Sequence, residues 1–189
     1  MNGIRKSAGK SQKGMTLIEA TVAMLVLTIG VTAVAAVFAR GIQYMGGSQD
    51  DLLARIKAEE AVESVFAARD DQTLTWAQIR NVLGGTGADG GVFIDGPLPV
   101  NDPGPDGLVN TADDQPGTLE YILLPGPDGI FGTADDVKVP LAKFQREIQI
   151  RDVPSVTGGV LRSLTVIMTY NSNGITRTYT IVTYISQYS

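Results

Sequence analysis

Apolar and polar positions change rhythm three times along the chain. Residues 15–38, MTLIEATVAMLVLTIGVTAVAAVF, are apolar at nearly every position and carry one charge, Glu19. Apolar side chains therefore surround the whole helix, which suits lipid or the interior of a helical bundle, not one face of a soluble core. At 1.5 Å per residue the run spans roughly 36 Å, enough to cross a bilayer core of about 30 Å. Residues 50–69, DDLLARIKAEEAVESVFAAR, follow a helical period instead. They place Leu52, Leu53, Ile56, Val62, Val65 and Phe66 on one stripe, with charged residues opposite, and so predict an amphipathic helix against a soluble domain. An unbroken helix over 15–69 would be about 80 Å long. Gly41, Gly46 and Gly47 predict a bend or loosened turn at 41–48.

Beyond residue 70 the pattern turns to short elements. Thr75 reads as the N-cap of a short helix that ends near Leu83, before Gly84-Gly85. Residues 160–170 (VLRSLTVIMTY) and 175–185 (ITRTYTIVTYI) are rich in β-branched and aromatic residues, and Asn171-Ser172-Asn173-Gly174 between them marks a hairpin turn. Residues 144–151 (FQREIQIR) alternate and predict a third strand; 118–124 (TLEYILL) predicts a fourth. The fold class expected is α+β, a long N-terminal helix packed on a small antiparallel sheet. The segments are 1–14 as a basic leader, 15–39 as a transmembrane or filament-core helix, 40–70 as the amphipathic helix, and 71–189 as a β-rich globular domain.

Charge sharpens this. Residues 1–14 hold Arg5, Lys6, Lys10 and Lys13 and no acid, leaving 11 basic and 20 acidic residues in 15–189. The basic stretch is expected to stay cytoplasmic and the globular part to lie outside. Between Arg80 and Lys138 stand 57 residues without Lys or Arg, ten of them acidic. A nucleic-acid binder needs a cationic face, so that class is excluded. The chain has no cysteine and no histidine. Thiol chemistry, disulfides and the usual zinc, copper or iron sites are therefore unavailable, while oxygen-ligand chemistry survives. No phosphate-cradling glycine motif follows a strand, and the paired carboxylates sit in solvated Gly/Pro loops where nothing raises their pKa values. No enzyme activity is expected.

Three readings compete for the N-terminus. A removable secretory signal has a shorter apolar run, although Ala33-Val34-Ala35 resembles its cleavage site. A plain membrane anchor leaves Glu19 unexplained, since an unpaired carboxylate in a bilayer costs on the order of 3 kcal/mol. The sequence Lys13-Gly14-Met15-Thr16-Leu17-Ile18-Glu19 resembles the class III signal of type IV pilins and pseudopilins. That resemblance implies cleavage by prepilin peptidase between Gly14 and Met15, N-methylation of the new terminus, and Glu19 as the fifth mature residue. Met15 departs from the usual Phe. A carboxylate four residues from the new terminus can pair with the α-amine of a neighbouring subunit, which fixes register more than it adds stability. The helix's small residues, such as Ala20, Ala23, Gly30 and Ala36, allow close helix packing. The C-terminal strands, together with Ile29-Gly30, resemble PilV-type minor pilins. The resemblance implies a structural subunit, minor more than major, of a type IV pilus or type II secretion pseudopilus. Its partners are then other pilin subunits, the peptidase, and the bacterial inner membrane before assembly, with an extracellular or periplasmic destination. The alternative is a membrane-anchored calcium-binding surface adhesin that does not polymerise.

The acidic interval contains a repeat. Gly104-Pro-Asp-Gly-Leu-Val-Asn-Thr-Ala-Asp-Asp-Gln115 recurs 22 residues later as Gly126-Pro-Asp-Gly-Ile-Phe-Gly-Thr-Ala-Asp-Asp-Val137, with eight of twelve positions identical. Aligned to a 12-residue calcium loop, 102–114 offers Asp102, Asp106, the Leu108 carbonyl, Asn110 and Asp113 as ligands. The loop 126–136 offers the poorer set of Asp128, the Ile130 carbonyl, Asp135 and Asp136. Calcium is expected to order an interval that lacks a disulfide. The competing reading is that Pro-Asp-Gly forms turns and Asp-Asp solvates them.

Overall fold

The structure is a computed structural model that describes residues 14–82, 90–114, 117–154 and 158–188. Its elements are α1 (Leu17–Asp70), β1 (Asn81–Val82), β2 (Phe93–Ile94), β3 (Leu98–Pro99), β4 (Tyr121–Leu124), β5 (Val137–Pro140), β6 (Phe144–Asp152), β7 (Leu161–Ser172) and β8 (Ile175–Ser186). The fold is α+β, as the sequence predicts. The chain divides into two units, Met1–Tyr44 and Met45–Ser189.

In the first unit α1 is exposed on all sides, Leu25, Leu27, Val31 and Phe38 included, and it is long and apolar enough to cross a membrane. Its start is set by Thr16 and Glu19. The Thr16 amide and hydroxyl donate to the Glu19 Oε2 at 2.8 and 2.9 Å, and the Glu19 amide donates to the Thr16 hydroxyl at 3.3 Å. That reciprocal arrangement is a capping box.

In the second unit the main sheet has the order β3-β6-β7-β8, all neighbours antiparallel. Strands β7 and β8 pair over their full lengths through the two-residue turn Asn173-Gly174. Both turn residues have positive φ, 53° and 79°, the conformation a right-twisted hairpin needs and Asn-Gly supplies. From Met45 onward α1 covers one face of this sheet. The seam is made by Gly47, Asp50, Ala54, Ala58, Ala61, Val65 and Ala68. This corrects the expected stripe: Val65 is buried and Leu53, Val62 and Phe66 pack partly, but Leu52 and Ile56 stay outside. The facing strands present Phe144, Ile148, Leu164, Val166 and Met168, so the bulk is on the sheet and the helix approaches through alanine.

Three more expectations change. Helical structure continues through Gly41, Gly46 and Gly47. A Cβ on Gly47 would stand 3.5 Å from the Ser172 hydroxyl, an ordinary contact, so the end of β7 leaves room for alanine there. The short helix after Thr75 is a single turn, with the Thr75 amide and hydroxyl both donating to the Gln78 Oε1 at 2.8 Å. Strand β1 then begins at Asn81, because its side chain is drawn into the core, donating to the Ile148 carbonyl at 2.7 Å and accepting from the Ile150 amide at 2.6 Å. Leu83, Gly84 and Gly85 lie outside the described residues. Finally, β4 pairs with β5 in a separate two-stranded sheet, and the fourth strand of the main sheet is the short β3.

Candidate functional site

Gly14, Met15 and Thr16 precede the first helical residue, Leu17, and Met15 is exposed. The Ala20 amide donates to the Thr16 carbonyl at 3.1 Å, the first bond of the helix. The Gly14–Met15 peptide bond therefore stands in non-helical backbone, just before a capped terminus. A peptidase needs an accessible, unwound bond, and the capping box stops the helix from extending over it. Glu19 lies four residues beyond Met15 and is held by bonds that both go to Oε2. Thr16-x-x-Glu19 was legible as a capping box, and that signal gives Glu19 a local partner besides any subunit contact.

The acidic repeat folds as a repeat. In the first copy the Gly107 amide donates to the Gly104 carbonyl at 3.1 Å, the Leu108 amide to the Asp106 Oδ1 at 2.8 Å and the Thr111 hydroxyl to the Asp113 Oδ1 at 2.6 Å. In the second copy the matching donors are Gly129 to Gly126 at 2.9 Å, Ile130 to Asp128 at 2.8 Å and Thr133 to Asp135 at 2.6 Å. The first glycine of each copy is required sterically. A Cβ on Gly104 would stand 2.4 Å from the Asp113 carbonyl oxygen, and one on Gly126 would stand 2.3 Å from that of Asp135. The last acid of each copy folds back, the Asn110 amide donating to the Asp114 Oδ2 at 2.8 Å and the Gly132 amide to the Asp136 Oδ2 at 2.7 Å.

Surroundings separate the copies. Leu108, Val109, Asn110, Thr111 and Asp114 are buried, and the Ile94 amide donates to the Asn110 carbonyl at 2.8 Å. Asp128, Ile130 and Asp135 are exposed, at the tip of the β4–β5 hairpin. Of the expected ligands, Asp106 and Asp113 come together, as do Asp128 and Asp135, with the Asp106 and Asp128 amides pointing at Asp113 and Asp135 Oδ2 at 3.4 and 3.3 Å. Burial, with Asp113's charge adding to it, pushes the Asp106 carboxyl above the usual aspartate value; the Thr111 hydroxyl holds Asp113 below it. Asp102 is exposed, with its amide on the Thr118 carbonyl. Asn110 is turned into the core and both ends of its amide are engaged by Arg146. Among the described residues no group of three or more carboxylates is placed to hold a metal ion.

No thiol bridge fixes this interval. Its order comes from Arg146, buried on the inner face of β6, and from Glu120, whose Oε1 lies 3.5 Å from the Arg146 Nη1 and whose Oε2 lies 2.6 Å from Lys57 Nζ on α1. The alternation Phe144-Arg146-Ile148-Ile150 already places Arg146 on the inward face.

Comparison with known proteins bears on the N-terminus. No curated protein and no solved structure matches the chain. Residues 9–35 match the family model of the prokaryotic N-terminal methylation motif, a stretch that includes Gly14, Met15 and Glu19. Over these residues the chain is similar to the class III signals of type IV pilin-like proteins, which supports a pilin-like or pseudopilin structural subunit, made as a membrane-anchored precursor and processed by prepilin peptidase.

Proposed function

We propose that this chain is a minor subunit of a type IV pilus or type II secretion pseudopilus. It is cut between Gly14 and Met15, methylated at Met15, and drawn from the inner membrane into a filament, pilus or pseudopilus, beyond it. The observation that carries this reading is the methylation motif over residues 9–35, read with the capped helix that begins directly after the scissile bond. Glu19 serves as the partner of the neighbouring subunit's Met15 amine. Each charge removes the other's desolvation cost, so the pair sets the axial register of packed helices. Intact mass measurement tests the processing step: the expected mass starts at Met15 and carries one added methyl. A start at Met1 overturns processing and leaves an anchored protein.

We infer further that the acidic loops take calcium. What favours it is the repeated geometry, which brings Asp106 to Asp113 and Asp128 to Asp135 through backbone amides. In the first copy the Asp113 charge adds to the upward push on Asp106, which a cation relieves. The Leu108 and Ile130 carbonyls and water would complete the oxygen shell. Two carboxylates per loop suit the weak end of the calcium range, about 10⁻⁴–10⁻³ M.

A further inference from the structure

The two copies of the acidic loop treat the same pair of positions in opposite ways. Leu108 and Val109 are each 7% exposed and covered by the body of their own chain, whereas Ile130 and Phe131 are 60% and 64% exposed. The second loop thus presents a tight, glycine-braced knob with two large apolar side chains at its tip and nothing of its own chain over them. The same unit carries an uncovered apolar groove of about 430 Å³, lined by Leu52, Leu53, Ile56, Ile122, Leu124 and Val139. Leu52 and Ile56 are the α1 residues left outside the helix–sheet seam. Lys143, half-exposed and bonded to Asp50, also lines this groove.

We propose that the Ile130–Phe131 knob of one copy docks in this groove of a second copy. The knob cannot fill the groove of its own chain. Strands β4 and β5 supply one groove wall and run from there into the loop, so the tip of a two-stranded hairpin would have to fold back onto its own face. The match is apolar: Ile130 and Phe131 face Leu52, Ile56 and Ile122, while the groove's Lys143 is already paired with Asp50. The first loop shows that this turn geometry accommodates a buried apolar pair without rearrangement. Knob and groove lie on different surfaces of one chain, so the contact is heterologous and propagates from copy to copy instead of closing on a dimer. Its use in a filament rests on the subunit reading above; the contact itself does not.

The absence of cysteine allows a direct test with the full chain. Phe131→Cys and Leu52→Cys variants, both at exposed positions, are co-expressed with distinguishable tags and oxidised in membranes with copper–phenanthroline. A disulfide-linked heterodimer is expected, several-fold above that from Phe131→Cys paired with Tyr184→Cys, an exposed position on β8. Loss of the heterodimer, Phe131→Cys homodimers in its place, equal linking to the Tyr184→Cys control, or linking to a different protein would each overturn the docking. The mass of the same sample reports the Met15 start separately. A processed chain that does not cross-link refutes the docking alone, and a cross-linked chain starting at Met1 refutes processing alone.

Discussion

Arg146 and Asn110 hold each other reciprocally. The Arg146 Nε donates to the Asn110 Oδ1 at 2.7 Å, and the Asn110 Nδ2 donates to the Arg146 carbonyl at 2.9 Å, with both residues fully buried. This pair ties an irregular acidic loop to the middle of β6. Burial works against the Arg146 charge, and the carboxylates of Glu120 and Asp114 offset that cost. Gly132 occupies the position of Asn110 in the second loop, and both have positive φ, 86° and 61°.

Exchanging those two residues separates docking from loop geometry. Asn110→Gly keeps the backbone conformation but leaves a buried guanidinium donor unpaired, an expected loss of about 2–4 kcal/mol. Gly132→Asn, in an exposed loop, is expected to stay within about 0.5 kcal/mol of the parent. Urea unfolding followed through Trp76 fluorescence compares them. Equal costs would remove the tethering role assigned to Asn110.

The capping box seen at Glu19 and the charge pairing proposed for it are separable. Glu19→Gln retains the box, since glutamine serves at that position as well as glutamate. Cleavage and membrane insertion are expected to persist while incorporation into filaments falls sharply, as for Glu19→Ala. Recovery of assembly by the glutamine variant would assign the residue to helix capping instead. Gly14→Leu is expected to stop earlier and leave full-length precursor.

Stability at the extremes of pH is expected to follow the cluster where α1 meets β7. The Tyr170 hydroxyl donates to the Asp51 Oδ1 at 2.7 Å, and Arg177 donates to both oxygens of that carboxylate at 2.9 and 3.0 Å. Burial, with the Asp51 bond adding to it, pushes the Tyr170 pKa from 10.0 up to about 12. Its contribution is complete below pH 10 and disappears as pH rises through about 12. The Tyr170 bond, foremost, holds Asp51 below the usual aspartate value of 3.8. That contribution is present above pH 3.8 and fades as pH falls through the lowered folded value. Tyr170→Phe should therefore flatten both limbs of a melting-temperature profile, and Asp51→Asn mainly the acid limb. Unchanged limbs in Tyr170→Phe would refute the assignment.

Calcium in the millimolar range is expected to raise the melting temperature. Binding at a free concentration ten times Kd adds about 1.4 kcal/mol, a few degrees for a unit of this size. Excess chelator should abolish the rise, and Asp106→Asn should reduce it more than Asp128→Asn. Identical melting in calcium and chelator, with no metal found by elemental analysis, would leave the loops as turns closed by their own hydrogen bonds.

The sequence by itself determined what depends on neighbours along the chain. An apolar run of 24 residues dictates a helix for lipid or a bundle, and Gly14-Met15-x-x-x-Glu19 carries its own spacing. Asn173-Gly174 dictates a hairpin because few residues tolerate that turn, and the period of FQREIQIR turns Arg146 inward. Tertiary structure decided what depends on which surfaces meet. Hydropathy favoured Leu52 and Ile56 for the helix seam, but a sheet already filled with large side chains admits mainly small residues, four of them alanine, at close range. TLEYILL reads as a strand in any sheet, and only the hairpin with β5 assigned it to a separate one. Two loops of nearly identical sequence took opposite fates for the same reason. One begins near β3 and reaches Arg146; the other hangs beyond the ends of β4 and β5, where the chain offers its apolar pair no cover.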